Sequence, residues 1–204
     1  MTSDTPQRQR YPRGQGERLR EELVEATIEL LAETDDPADV SVRAVARRVG
    51  VSPTAVYRHF EDREDLLRAA IEACFNEFEL ALDEAAAAAT DAFDALWRRG
   101  RAYLEYAMAG HGHYRVLFSN PAPLDDKGVL VGYSSFEKLV EAVQACLDAG
   151  APAEDDAFRL AVELWTWIHG IVDLRITHPL LPWPPAEELF DTVTRKLSLA
   201  APDA

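Results

Sequence analysis

With 36 acidic against 21 basic side chains in 204 residues, the chain carries a formal charge of −15, which excludes charge-driven, non-specific nucleic-acid binding by the molecule as a whole. Its 48% hydrophobic content suffices for a packed core, yet no apolar run approaches the ~20 residues of a membrane span and no secretory leader opens it, so a cytoplasmic protein is expected. There is no G-x-S-x-G, HExxH, nucleotide-binding glycine pattern or CxxC, and His111 and His113 lack a third ligand nearby, so no enzyme chemistry, metal or cofactor is expected.

In chain order the elements read as an all-α protein of about nine helices. Residues 1–16 are polar, broken by Gly and Pro, and carry Arg8, Arg10 and Arg13. They read as a disordered basic arm, either a solvated tail or a segment that follows a DNA groove. Leu19, Leu23, Ala26, Leu30 and Leu31 space an amphipathic helix over 17–33, and residues 34–40 form a loop. Val42, Val45, Ala46 and Val49 then share one helical face, with Ser41 at the N-cap and Gly50 where the chain turns left-handed at little steric cost. Ser52 caps a following helix that has Pro53 at its first position. This is helix–turn–helix, the unit that lays its second helix in the major groove, although other small bundles also contain Gly turns.

The outward face of that second helix carries Thr54, Tyr57, Arg58 and His59, donors suited to phosphates and base edges, with no acid before Glu61. Thr54, Ala55 and Arg58 face the groove on its leading side. Arg58 is the candidate for bidentate contact to guanine, with a phosphate contact as the alternative, and Ala55 can touch only a thymine methyl. Arg43 and Ser52 join them as candidate DNA contacts.

Asp62 caps a long fourth helix through Leu66, Leu67, Ala70, Ile71, Cys74, Phe75 and Phe78, expected to run from the small domain into the rest with a boundary near Glu72. Through Arg68 the chain has 11 bases and 14 acids, and after it 10 and 22, so the acidity lies mostly beyond the DNA-binding part. A fifth helix is predicted over 91–109, a helix-breaking loop at 110–113, a short helix over 114–119 and a seventh helix over about 127–148. The eighth, over 154–177, is apolar on most sides; 178–185, with four prolines, is non-helical, and a last helix spans 186–199. The apolar excess of the eighth helix predicts a homodimer in which it and the last helix pair with their symmetry mates. Tyr103, Tyr106, Tyr114, Phe118, Phe136, Trp165, Trp167 and His169 give the larger part an aromatic interior, read either as plain core or, for Tyr103, Tyr106, Phe118, Phe136, Trp167 and His169, as the lining of a site for a small apolar or aromatic ligand.

The run SVRAVARRVGVSPTAVYRHFEDREDLLRAAI resembles the DNA-binding region of TetR-type transcriptional regulators, over about residues 17–70. The likeness is carried by Ala46…Gly50-Val51-Ser52, by Tyr57-x-His59-Phe60 and by Arg63-Glu64-Asp65-Leu66-Leu67, with Arg63 where the family usually has Lys. Trp165-Thr-Trp-Ile-His169-Gly170 resembles, more weakly, the Trp/His-Gly helix of one subgroup's regulatory domain. The resemblance implies a three-helix helix-turn-helix domain over 17–72 and a helical ligand-binding and dimerisation domain over 73–204. It implies a palindromic double-stranded DNA operator, a small-molecule effector and, most simply, a repressor. It also implies phosphate contacts for Tyr57, His59 and Arg63. The competing readings are an all-helical enzyme and a regulator controlled by a partner protein.

Overall fold

The computed structural model describes residues 16–34, 37–118, 123–125 and 127–200. Among them the regular elements are helices: α1 Gly16–Glu33, α2 Val42–Val49, α3 Pro53–Val56, α4 Arg63–Ala87, α5 Ala92–Ala109, α6 His111–Phe118, α7 Tyr133–Asp148, α8 Ala157–Thr177 and α9 Ala186–Lys196. A 3₁₀ turn at Pro37–Asp39 and one isolated antiparallel bridge between Leu124 and Leu130 complete them. None of these helices is long and apolar enough to cross a membrane. The expected basic arm, apart from Gly16, lies outside the described residues.

Two compact units result. The first joins Met1–Phe75 with Gly112–Val131, and the second joins Asn76–His111 with Gly132–Ala204. α4 is continuous, and one division of the chain falls within it, between Phe75 and Asn76. A single cut does not describe the chain, however, because 112–131 groups with the first unit.

The reason is visible at the end of α1. Gly112 lies against Ala32 so closely that a Cβ on it would sit 2.7 Å from the Ala32 Cβ. Arg115 then donates to the carbonyls of Ala32 and Thr34 at 3.1 and 2.9 Å, which takes up backbone acceptors that the end of a helix leaves unpaired. Phe118 packs edge-on against Phe75 at 5.7 Å and against Tyr114 at 5.1 Å. The loop expected at 110–113 is therefore a correction: α6 begins at His111, and Gly112 is there for close helix packing rather than as a breaker. The seventh helix is also shorter than the predicted 127–148. Gly128 and Gly132 take left-handed φ values of 78° and 87°, and the Asp125 carboxylate accepts the Lys127 and Val129 amides at 2.8 Å each. Those contacts fold 124–130 into a tight turn that a helix cannot enter.

In the second unit α5 packs on α7, α8 and α9, and α8 on α7 and α9. Gly100 makes the α5–α9 packing possible, since any Cβ there would overlap the buried Phe190 ring at 2.0 Å. The second half of α4 is held to its neighbours by charge. Glu79 accepts from the Ser134 and Ser135 hydroxyls at 2.6 Å and pairs with Lys138 at 2.9 Å, while Asp83 pairs with Lys138 and Arg99. Burial works to raise both carboxyls, but these partners outweigh it and hold them below the ordinary range. Cys74 and Cys146 are both buried, and burial pushes the Cys146 thiol up to about 11, leaving it an unreactive packing group.

Candidate nucleic-acid interface and ligand site

The turn between α2 and α3 is built from short-range chemistry. The Ser41 hydroxyl accepts the Ala44 amide at 3.2 Å, and Gly50, at φ 82°, closes α2 on the Ala46 carbonyl at 3.0 Å. The Ser52 hydroxyl accepts the Ala55 amide at 3.3 Å. Val45, Val56 and Phe60 are buried beneath, with the Arg20 guanidinium 5.1 Å above the Phe60 ring. The helical part of α3 is short. Past Val56 the chain tightens into a three-residue repeat, with the Arg58 and His59 amides donating to Ala55 and Val56 at 3.3 and 2.9 Å.

This packing sorts the basic residues. Arg48 is spent on Glu29 and Glu33 at 2.7 Å each, and its hydrogen bond draws the Glu33 carboxyl below the ordinary range. Arg43 and Arg47 on α2, and Thr54, Tyr57 and Arg58 on α3 and the turn after it, are exposed. Their side chains make no hydrogen bond or ion pair with any described residue. No acid occurs between Ser41 and Phe60. The acids of this unit gather elsewhere: Glu21, Glu22, Glu25 and Glu29 line a groove of about 500 Å³ that Arg48 and Val49 close. Positive donors on one surface and carboxylates on another make an anion-binding face with a defined orientation.

In the second unit a run of rings in contact leads inward from the surface of α7 and α8. Phe136 meets Phe158 at 5.6 Å and Trp165 at 5.5 Å, Trp165 meets His169 at 5.0 Å, and His169 meets Tyr103 at 5.7 Å. Tyr103 continues to Phe78, and Phe78 to Tyr106, at 5.3 Å each. The Tyr103 hydroxyl lies 3.1 Å from His169 Nε2. Burial pushes the His169 imidazole down to about 4, against the opposing pull of Asp173, so the ring is neutral at pH 7.

Residues 23–70 match the model for bacterial regulatory proteins of the tetR family, and residues 96–197 match the tetracyclin repressor-like C-terminal domain. The chain belongs to the tetR family. This tetR-family protein is a transcriptional regulator. A solved structure of a Rhodococcus sp. RHA1 protein of unknown function is similar to it at 30% identity and TM-score 0.70, covering 86% of this chain and 95% of that one. A TetR-family regulator from Marinobacter aquaeolei VT8 is 19% identical, with TM-score 0.69 and 89% and 96% covered. FadR from Bacillus subtilis, in complex with stearoyl-CoA, is 16% identical, with TM-score 0.72 and 87% and 97% covered. The latter two likenesses show the fold.

Within this regulator most residues expected at the DNA surface are grouped on the helix-turn-helix. Arg43, Thr54, Tyr57 and Arg58 are exposed, Ser52 serves as cap, and Ala55 and His59 are half-buried, His59 beside Gly16. Arg63 is placed otherwise. Its Nε donates to the Val40 carbonyl at 2.7 Å, a second nitrogen donates to the Pro37 carbonyl and a third lies 3.3 Å from Glu64. The guanidinium thus clamps the segment leading into Ser41 instead of presenting a free donor to phosphate. Arg47, four residues from Arg43 and so on the same α2 strip, is exposed as well.

Of the expected ligand residues, Tyr103, Tyr106, Phe136 and His169 join the ring track. Phe118 packs in the first unit, and Trp167 points away, 50% exposed, on the other flank of α8. Trp165, Phe158 and Phe78 take their places. The spacing held the signal for Trp165, which lies one helical turn before His169 whereas Trp167 does not.

Proposed function

We propose that this regulator is a repressor that binds a two-fold symmetric duplex operator as a homodimer and is released by a small apolar or aromatic ligand. The observation that carries the reading is the strip of exposed, uncommitted donors on α2, α3 and the turn after it, Arg43, Arg47, Thr54, Tyr57 and Arg58, in an otherwise acidic chain. Residues 17–72 supply the DNA contacts, and residues beyond them supply ligand binding and dimerisation. The ring track around Tyr103 and His169 receives the ligand, and the complex of the Bacillus subtilis relative with stearoyl-CoA supports ligand control. α4 is one continuous helix shared by both units, so a ligand that shifts its second half displaces the recognition helices from the about 34–36 Å separation that successive half-sites demand.

Dimerisation uses α8 and α9. The flank of α8 bearing Trp167, Gly170 and Leu174 is open, with Trp167 and Leu174 50% and 46% exposed. Among the described residues, apart from the adjoining stretch of α8 itself, nothing comes within 4 Å of a Cβ placed on Gly170. Glycine in mid-helix costs about 1 kcal/mol relative to alanine, so a glycine with open space beside it suits the close crossing of a second helix. The regulator acts in the cytoplasm. The test is a gel-shift titration of duplex DNA with the purified protein, with a native mass spectrum of the protein to reveal co-purified ligand. Saturable retardation of a symmetric duplex by two protein chains supports the proposal; absence of any retarded complex overturns it.

A further inference from the structure

Resting on the reading of the ring track as the ligand site, we infer that the effector is an uncharged aromatic compound bearing a hydroxyl group, and that the Trp165–His169–Tyr103 cluster rejects carboxylates and other anions. The outer end of the track is an exposed aromatic surface. Phe158 and Trp165 are 57% and 40% exposed, and both stand at T-shaped or tilted angles to Phe136, so a flat ring can stack there without first opening the core. Further in, the Tyr103 hydroxyl lies within hydrogen-bond distance of the neutral His169 imidazole. A ligand hydroxyl both donates and accepts, so it can stand in for either member of that pair whichever imidazole nitrogen holds the proton. A carboxylate only accepts, and it would be desolvated beside an imidazole that burial keeps uncharged.

Four cations of this unit are already paired. Lys138, two residues from Phe136, is held by Glu79 and Asp83, and Arg99 by Asp83. Arg98 and Arg101 are paired with Asp94 and Glu105 at 2.9 Å. The unit as a whole has 19 acidic against 8 basic residues, a net −11, which repels anions before they arrive.

The experiment is calorimetric titration of the full-length protein at pH 7 with three probes of one shape: 2-naphthol, naphthalene and 2-naphthoate. The expected order is 2-naphthol first, naphthalene about 3–10-fold weaker, the value of one hydrogen bond, and 2-naphthoate at least about 10-fold weaker than 2-naphthol. His169→Phe and Tyr103→Phe each keep a ring in place and should bring 2-naphthol down to naphthalene without weakening naphthalene itself. The inference is overturned if 2-naphthoate binds as tightly as 2-naphthol, if 2-naphthol does not bind, or if neither substitution changes the ratio of 2-naphthol to naphthalene. Operator binding by the same samples separates the two levels: a protein that retards DNA but fails these titrations loses only this inference.

Discussion

Arg58 and Arg63 carry the same charge, but the fold gives them opposite tasks. Arg58 is exposed and uncommitted, while Arg63 is held on the Pro37 and Val40 carbonyls. Arg58→Ala should cost about 1–3 kcal/mol on the preferred operator and relax preference at one base pair per half-site. Arg63→Ala should weaken every operator alike, lower protein stability by about 1–2 kcal/mol and leave the salt slope unchanged, since it releases the 37–40 segment and not a phosphate. Affinities for single-base operator variants at two salt concentrations, with a denaturation curve for each variant, separate the cases. A salt slope reduced by about one with unaltered stability would return Arg63 to the phosphate class. His169 has its own signature. Its folded value of about 4 lies below the ordinary 6.5, so the folded state binds fewer protons than the unfolded chain between those values. Stability should therefore be full above pH 6.5 and fall as pH drops toward 4, by up to about 2–3 kcal/mol before solvent screening is discounted. Urea denaturation at pH 7, 5.5 and 4.5 should show a shallower decline for His169→Gln than for the native protein; parallel declines would contradict it.

Helix packing turns on two glycines that sequence alone could not tell apart. Gly100 is crowded by Phe190 within the chain, and Gly170 faces open space. Gly100→Ala should destabilise the monomer by about 1–3 kcal/mol, with Phe190→Leu restoring part of the loss. Gly170→Leu should leave the monomer's stability within about 1 kcal/mol of the native protein and weaken self-association. Sedimentation at micromolar concentration reads the second effect, and an unchanged dimer would remove α8 from the interface. The same contrast explains what was legible. Ser41, Gly50, Ser52, Asp62 and Asp91 act through neighbours a few residues away, so their spacing sufficed to place the starts of α2 to α5. Gly112 acts through Ala32, and Arg63 through Pro37 and Val40, partners no local pattern records. The predicted start of the seventh helix at about 127 lies ahead of the observed one at Tyr133, because the left-handed φ values of Gly128 and Gly132 are not recorded in the apolar spacing. At the proposed ligand site the aromatic content was legible, but the choice between Trp165 and Trp167 depended on which flank of α8 the other helices cover.

At the scale of the whole molecule, charge is distributed by task. The unit bearing the helix-turn-helix has 17 acids and 13 bases, a net −4, and the other unit carries −11 of the total −15. Such a chain binds DNA only through a local surface, so binding to random duplex should be weak at physiological salt while operator binding persists. Effector binding and operator binding, if they bias one shared α4, should be reciprocally coupled by about 1–3 kcal/mol, a 5–150-fold change in affinity. The most direct test of the central claim is selection of bound sequences from random duplex DNA by the native protein and by Arg58→Ala. The account predicts a two-fold symmetric motif with half-sites about one helical turn apart for the native protein, and the same motif with one base pair per half-site blurred for the variant. No enriched motif, or a motif without symmetry that Arg58→Ala leaves intact, would contradict it.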